Sequence, residues 1–119
     1  NKVAKEYNCI AAITGSIDTV SDGLQIVRIH RGTKELSRVT GTGCMTTALV
    51  GAFCGAVFAT NRANAVQSAL CNKSEYLHAA TAGIACMSIA GETCEKAAQQ
   101  KGTGSYRVAI IDCLSKMGL

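Results

Sequence analysis

The stretch Val39-Thr40-Gly41-Thr42-Gly43-Cys44 decides the fold, because two glycines stand just before the longest uncharged run of the chain. No charged residue occurs between Arg38 and Arg62, and the segment from Met45 to Asn61 is mostly apolar. Glycine allows a sharp turn, and a long apolar segment after it favours a helix. The sequence therefore predicts a loop that turns at the glycines and enters a buried helix near Cys44.

The start of that helix predicts an anion-binding site. Backbone N–H groups in a first helical turn lack intrahelical partners, and the helix dipole adds positive potential there. A phosphate or a developing negative charge is stabilised at such a point. Cys44 stands in this turn, where a thiolate is favoured. The alternative is an ordinary glycine turn before a core helix whose cysteine is an inert small hydrophobe.

The same run also admits a membrane-spanning interpretation, because Gly51 and Gly55 form a Gly-x-x-x-Gly pair in apolar surroundings. The apolar core from Cys44 to Ala59 has 16 residues. At ~1.5 Å per residue it measures about 24 Å, less than the ~30 Å hydrocarbon layer. Flanking Trp or Tyr anchors are missing from its ends. We therefore predict a buried helix that packs closely through its small residues, and no membrane partner.

Composition describes a small globular protein rather than a disordered or nucleic-acid-binding one. The chain has 119 residues, of which 48% are hydrophobic and 17% charged, which suffices for one domain with a core. The net charge of +4 comes from scattered basic residues, and the aromatic side chains are three tyrosines and two phenylalanines. We predict no nucleic-acid partner, because both a basic cluster and a base-stacking platform are missing.

The seven cysteines indicate buried thiols in a reducing compartment. Their number is odd, no Cys-x-x-Cys occurs, and the two histidines stand far from any cysteine pair, so no metal site is predicted. Most lie among Ala, Ile and Met, which favours a cytoplasmic protein over a disulfide scaffold. The charged N-terminal residues have no apolar segment behind them, so no signal peptide is predicted. Because the sequence begins with Asn1 rather than Met, we expect it to belong to a longer chain.

Upstream of the glycines, the sequence predicts a strand and a hairpin. The apolar run from Cys9 to Thr14 is typical of a strand covered on both faces, as in parallel sheets. Asp18 to Val20 and Leu24 to Ile29 flank Ser21-Asp22-Gly23, which predicts an edge hairpin. The polar loop from His30 to Arg38 is either a solvated connection or a mobile basic segment near a phosphate-bearing ligand.

Downstream, the pattern predicts three more helices after the glycine-led one. The first runs from Ala63 to Cys71, and a long Ala-rich helix follows from Ser74 to Gln100, ended by Gly102. Gly104-Ser105 opens the last. The buried stripe of the long helix is predicted to be Leu77, Ala80, Ile84, Met87 and Cys94, and that of the last helix Val108, Ile111, Leu114 and Ser115. Strand, hairpin, glycine loop and about four helices make a lopsided α/β arrangement, and a single buried parallel strand needs further strands from elsewhere.

Several short pieces, taken together and in order, resemble one known family. They are Tyr7 to Gly15, Ile17-Asp18 with Ser21-Asp22-Gly23, Val39 to Met45, Gly51-Ala52-Phe53, and Lys101 to Ser105. With them the chain resembles the hydroxyethylthiazole kinases, which belong to the ribokinase-like family. The most specific feature is Cys44, because most ribokinase-like relatives have Asp at this position.

The resemblance implies a ribokinase-like three-layer α/β fold, with residues 1–119 as its trailing half and the N-terminal half of the same domain absent. It implies ATP-dependent phosphorylation of the hydroxyethyl group of 4-methyl-5-(2-hydroxyethyl)thiazole, a thiamine salvage step, with Mg²⁺ as cofactor. Family members are trimers with active sites at subunit contacts. A homotrimer is therefore expected, and the missing N-terminal half is an expected partner of this chain.

The resemblance also implies a role for each matching position. Thr14 takes the place of the family's ATP-contacting threonine, and Gly41 that of the glycine that contacts the thiazole. Cys44 takes the catalytic place beside the alcohol, although a thiolate is a less obvious proton acceptor than a carboxylate. The anion hole for the transferred phosphoryl group would be formed by Gly41, Thr42, Gly43 and Cys44.

Three departures from the family pattern leave alternatives open. The leading half is absent, Ser16 stands where an acidic residue is usual, and Thr103 stands where proline is usual. One alternative is another vitamin-precursor kinase of the same fold, such as a pyrimidine or pyridoxal kinase, against which Cys44 argues. The other is a non-catalytic assembly or regulatory chain that keeps the scaffold.

Overall fold

The computed structural model describes residues 1–64 and 72–117. The short helix predicted from Ala63 to Cys71 falls almost entirely outside these residues. The described elements are α1 (Lys2–Glu6), β1 (Ala11–Ile13), β2 (Asp18–Ser21), β3 (Ile26–Ile29), a 3₁₀ helix (Lys34–Arg38), α2 (Thr42–Ala63), α3 (Lys73–Thr93), α4 (Glu95–Lys101) and α5 (Thr103–Lys116).

The predicted hairpin is confirmed as β2 and β3, which pair antiparallel with Val20 opposite Val27. Asp22 shapes its turn, since Asp22 Oδ1 accepts hydrogen bonds from the N–H groups of Leu24 at 2.8 Å and Gln25 at 2.6 Å. Gly23 supplies the positive φ, 96°, that the turn needs. The hairpin therefore follows directly from local sequence.

The prediction of a buried parallel strand is wrong for the described residues. β1 is shorter than expected and pairs antiparallel with β2, giving the sheet order β1-β2-β3. Only four residues, 14–17, join β1 to β2, and a parallel pair would need a crossover of a dozen or more. Ala12 and Ile13 are exposed, Ile13 to 67%, because no described element covers that end of the sheet.

Helix α3 is the centre of the packing. It lies between two apolar clusters and contributes to both. The cluster with the sheet consists of Val20, Ile29, Leu77, Ala80 and Ile84, and the cluster with α5 consists of Val39, Met87, Ala90, Tyr106 and Ile110. The predicted stripe of Leu77, Ala80, Ile84 and Met87 is confirmed, and Cys94 is half-buried.

The single long helix predicted from Ser74 to Gln100 is wrong, because the chain breaks at Cys94 into α3 and α4. Cys94 has φ −96° and ψ 1°, and its N–H still bonds to the Ala90 carbonyl. The break turns α4 onto α5, where Ala98 packs against the cluster around Tyr106. Gly102, with φ 93°, ends α4 as predicted.

Of the stripe predicted for the last helix, Val108, Ile111 and Ser115 are wrong, and only Leu114 packs inward. Val108 and Ile111 are exposed, to 58% and 49%, whereas Tyr106 and Ile110 are fully buried. The Tyr106 hydroxyl donates to the Gly91 carbonyl at 2.9 Å. Because a buried hydroxyl needs a partner, this bond sets the rotation of α5 and points the line of Tyr106, Ile110 and the half-buried Leu114 inward.

Helix α2 is not the buried helix that its sequence predicts. It packs on α3, yet none of its 22 residues is buried. Side chains added at Gly51 and Gly55 would meet nothing within 4 Å, so these glycines do not make the close contact. That contact is made by Gly83 of α3, where an added Cβ would lie 2.7 Å from the Val50 backbone.

By length and composition α2 could cross a membrane, with a mean hydropathy of 1.6 in its most apolar stretch. Its 22 residues measure about 33 Å at ~1.5 Å per residue, more than the sequence argument assumed. One such helix is weak evidence for a span, because core helices of larger folds have the same length and composition. The finding leaves α2 with an apolar face that no described residue covers.

Candidate functional site

A cavity of about 1050 Å³ opens between the end of β1, the loop before α2, the first turns of α2 and the middle of α3. The turn after β1 contributes Thr14 and Gly15, and α2 contributes Thr42 and Gly43. The helix α3 supplies Ile84, Met87 and Ser88 as the floor. The volume is that of a small-molecule site.

The first turn of α2 presents three backbone N–H groups that have no acceptor among the described residues. They belong to Thr42, Gly43 and Cys44, and the first intrahelical bond runs from the Met45 N–H to the Gly41 carbonyl at 3.0 Å. Gly41 is the N-cap, with φ 97°, and no side chain caps the helix. The predicted helix start is therefore present, and its free donors suit an anion.

The structure brings some predicted site residues to the cavity and leaves others at its margin. Thr14, Thr42 and Gly43 line it, whereas Gly41 and Cys44 are not part of its lining. Cys44 is exposed, and Gly41 is half-buried. The roles assigned to these residues remain predictions.

The hydroxyl of Thr42 is already engaged, so this residue offers only its backbone. Thr42 Oγ1 lies 3.1 Å from the carbonyl oxygen of Leu36 and 3.2 Å from that of Val39. These contacts tie the first turn of α2 back to the 3₁₀ helix. They fix the direction in which the free N–H groups of the turn point.

Two acidic residues hold the loop on the other side of the cavity. Glu92 accepts from Arg31 Nε at 2.9 Å and from the Gly32 N–H at 2.6 Å, and Glu95 accepts from Thr33 Oγ1 at 2.7 Å. The hydrogen bonds from Arg31 and Gly32 lower the pKa of Glu92, and the bond to Glu92 raises the pKa of Arg31. The loop, predicted to be either a solvated connection or a mobile basic segment, is thus bonded to the end of α3 and the start of α4.

Lys34, unlike the two arginines of this loop, has no ion pair within the described part of the chain. Arg31 pairs with Glu92, and Arg38 Nη1 lies 2.9 Å from Glu35 Oε2. Lys34 is exposed and lines the cavity together with Gly43. Its ammonium group can therefore add positive potential near the free N–H groups of α2.

Two polar residues at the cavity were missed from the sequence. Asp18 Oδ1 accepts from the Gly15 N–H at 3.0 Å, and Asp18 Oδ2 accepts from Ser88 Oγ at 3.2 Å. Both Asp18 and Ser88 are buried. A signal existed, since Asp18 begins a strand in which Val20 is apolar and points to the same face. Ser88 gave no signal, because serine is common on helices.

Residues 1–64 and 72–117 contain no group of three or more His, Cys, Asp or Glu side chains that could hold a metal ion. The described cysteines are free thiols.

The model of the hydroxyethylthiazole kinase family matches residues 1–118. The hydroxyethylthiazole kinase of Ruminiclostridium cellulolyticum is 48% identical over 114 residues, which are 96% of this chain and 36% of that protein. That of Clostridium beijerinckii is 46% identical over 115 residues, 97% of this chain and 36% of the relative. The chain thus spans about a third of the length of the curated relatives it matches.

The fold is also similar to that of a solved structure. The hydroxyethylthiazole kinase of Pyrococcus horikoshii superposes with a TM-score of 0.63 and 32% identity, covering 97% of this chain and 38% of that one. The α/β fold inferred from the sequence is thereby confirmed. With a family model that matches nearly every residue, this chain belongs to the hydroxyethylthiazole kinase family.

Proposed function

We propose that the protein carrying this chain transfers the γ-phosphoryl group of ATP to the hydroxyethyl group of 4-methyl-5-(2-hydroxyethyl)thiazole, in thiamine salvage. The relatives that this chain matches are named hydroxyethylthiazole kinases, which does not favour a non-catalytic scaffold. In this proposal residues 1–119 are the C-terminal part of one kinase domain, and the remaining two thirds of the relatives' length complete the site.

The observation that carries the proposal is a helix start with free N–H groups on Thr42, Gly43 and Cys44, of which Thr42 and Gly43 line the cavity. Phosphoryl transfer depends mainly on positioning and on stabilising charge on the phosphoryl oxygens. Fixed N–H donors do both without reorganisation. Thr14, on the same cavity, would contact the nucleotide, and Gly41 the thiazole. Lys34, which lines the same cavity, would add charge stabilisation.

Cys44 is proposed as the base that takes the alcohol proton while the alcohol oxygen attacks the γ-phosphorus and ADP leaves. Its thiol has no hydrogen-bond partner among the described residues, so it is free to meet a substrate. Cys54 lies nearly three turns further along α2 and is half-buried, and burial raises the pKa of its thiol. Cys54 is therefore a natural control for Cys44.

Mg²⁺ is proposed to enter with the nucleotide. Mg²⁺ usually keeps several waters and binds through the phosphates of the nucleotide and one or two carboxylates. A homotrimer in the cytoplasm, without nucleic-acid or membrane partners, completes the proposal. The exposed face of α2 is then covered by the rest of the fold rather than by lipid.

The test is ADP release by the protein at its native length, with ATP, Mg²⁺ and the thiazole alcohol. We expect release that depends on the alcohol. ADP formation that is the same with and without the alcohol would refute the proposed substrate. A pyridoxal or hydroxymethylpyrimidine acceptor, assayed in parallel, tests the rival kinases of the same fold.

Cys44→Ala is expected to lower kcat by about 10²- to 10⁴-fold, the usual contribution of a general base, while leaving thermal unfolding unchanged. Cys54→Ala, a matched removal of a thiol from the same helix, should keep kcat within a few-fold. If both variants retain the wild-type kcat, Cys44 is not the base and the anion hole alone acts on the phosphoryl group.

A further inference from the structure

Asp18 is a buried carboxylate on the cavity and has no part in the function proposed so far. It is 8% exposed, and its two oxygens accept hydrogen bonds from different segments of the chain. Gly15 N–H lies 3.0 Å from Oδ1, and Ser88 Oγ lies 3.2 Å from Oδ2. The part of the chain that the structure describes shows no ion pair to it. Burying a carboxylate costs free energy unless it is hydrogen-bonded. The two groups that donate to Asp18 are therefore held in place by it.

The bond to Gly15 controls the orientation of Thr14. The N–H of Gly15 belongs to the planar peptide group that follows Thr14, so holding this N–H fixes that whole plane. Thr14 is exposed at the end of β1 and lines the cavity. Without Asp18 the turn 14–17 would keep no other described side-chain anchor, and the peptide after Thr14 could rotate.

The bond to Ser88 ties the same carboxylate to the floor of the cavity. Ser88 is buried on α3, and a side chain added at Gly32 would lie 3.7 Å from its Cβ and Oγ. Asp18 thus connects the turn after β1 with α3, and Ser88 packs under the loop that Glu92 anchors. Three walls of the cavity meet at this pair of side chains.

We infer that Asp18 is a positioning residue, which holds the Thr14–Gly15 peptide in place for a nucleoside triphosphate through its bonds to Gly15 and Ser88. The inference rests on the proposed function only for the identity of the ligand. It predicts an effect on nucleotide affinity and none on affinity for the alcohol, because Gly41, the residue proposed to meet the alcohol, belongs to the turn before α2 and not to the turn that Asp18 holds.

A second buried aspartate provides a matched control. Asp22 is 5% exposed and accepts two backbone N–H bonds, like a carboxylate that holds a turn. It lies at the opposite end of β2, about 13 Å from Asp18 at ~3.3 Å per residue, and does not line the cavity. Replacing either aspartate removes hydrogen bonds at one end of strand β2. Only Asp18 bonds to the peptide group that follows Thr14.

The experiment measures binding of a fluorescent ATP analogue and the KM values for ATP and the thiazole alcohol, using the protein at its native length. Asp18→Ala is expected to weaken nucleotide binding at least about ten-fold, the loss typical of a hydrogen bond to a charged group. The KM for the alcohol should stay within two-fold. Asp18→Asn keeps an oxygen for the Gly15 N–H and should restore most of the nucleotide affinity. Asp22→Ala should bind the analogue as wild type does.

Wild-type nucleotide affinity in a folded Asp18→Ala protein, or an equal loss in Asp22→Ala, would overturn the inference. If Asp18→Ala does not fold, Ser88→Ala replaces it, with about a three-fold loss expected and unchanged affinity counting against the role. A wild-type protein that binds the analogue in an Asp18-dependent way but releases no ADP with the alcohol refutes the proposed function alone. A wild-type protein that does not bind the analogue overturns both.

Discussion

Helices α2 and α3 are nearly equal in length, 22 and 21 residues, yet they occupy opposite environments. α2 has no charge before Arg62 and none of its residues is buried, whereas α3 carries Lys73, Glu75 and Glu92 and buries nine residues. The more apolar helix is the more exposed one. Burial here follows from position between the sheet and α5, and apolar composition does not predict it.

The contact between the two helices depends on Gly83, and its replacement is expected to have the largest effect. In Gly83→Ala the added Cβ would lie 2.7 Å from the N and Cα atoms of Val50, so the α2 backbone must move away. We expect a loss of about 2 kcal/mol in the free energy of unfolding, within the usual range for overpacking. Urea unfolding followed by circular dichroism measures it. Unchanged stability would show that α2 is not held tightly by α3.

Alkaline pH tests the buried packing between α3 and α5, through the ionisation of Tyr106. Burial, followed by the nearby Cys94, Glu95 and Glu35 charges, raises the pKa of Tyr106 from 10.0 to about 12. The unfolded chain therefore releases this proton near pH 10, and the folded chain only near pH 12. Stability from this group is complete below pH 10 and falls as pH rises to 12, by at most on the order of 1 kcal/mol per pH unit.

Because lysines and other tyrosines also titrate in this range, the measurement compares wild type with Tyr106→Phe. Urea midpoints at pH 9 to 12 should converge as the wild type loses its advantage. Parallel curves over the whole range would show that Tyr106 ionises as an exposed tyrosine does.

At neutral pH the same substitution measures the hydrogen bond between α5 and α3. Tyr106→Phe removes the bond from the hydroxyl to the Gly91 carbonyl, which is 2.9 Å long and buried. A loss of about 1 kcal/mol in the free energy of unfolding is expected. Tyr7→Phe is the control, because Tyr7 is exposed, and its stability should match wild type. Equal values for both variants would mean that the bond does not contribute.

The smallest effect is expected on the open face of α2 and has the opposite sign. A side chain added at Gly51 meets nothing within 4 Å, so Gly51→Ala should stabilise the helix by about 0.5–1 kcal/mol. Urea unfolding of Gly51→Ala and Gly83→Ala, measured in parallel, compares the open face of α2 with its contact to α3. A loss as large as that of Gly83→Ala would show that another part of the protein covers this face.

Turns and helix ends were predictable because neighbouring residues decide them. Asp22 and Gly23 specify their turn, Gly41 starts α2, and Gly102 separates α4 from α5. The free N–H groups at the start of α2 follow from the same local rule, and the anion site proposed there stays a prediction. The stripe of α3 was also predictable, since its period matches a helix packed on one side.

Apart from the pairing of β1 with β2, the errors concern contacts between residues further apart in sequence. The rotation of α5 depends on the Tyr106 hydroxyl finding the Gly91 carbonyl, and the break at Cys94 lets α4 reach α5. The bond between Asp18 and Ser88 joins residues 70 positions apart, so no local pattern shows it. A common residue such as Ser88 takes on a structural role only when the fold places a hydrogen-bond partner beside it.

Local sequence alone specifies where this chain turns, where its helices begin and which family it resembles, because backbone geometry and hydrogen bonding act between near neighbours. Tertiary structure decides which apolar face is covered and which buried polar groups meet at the cavity. The physical reason is that burial is a property of two surfaces. A helix as apolar as α2 remains exposed until a second surface covers it.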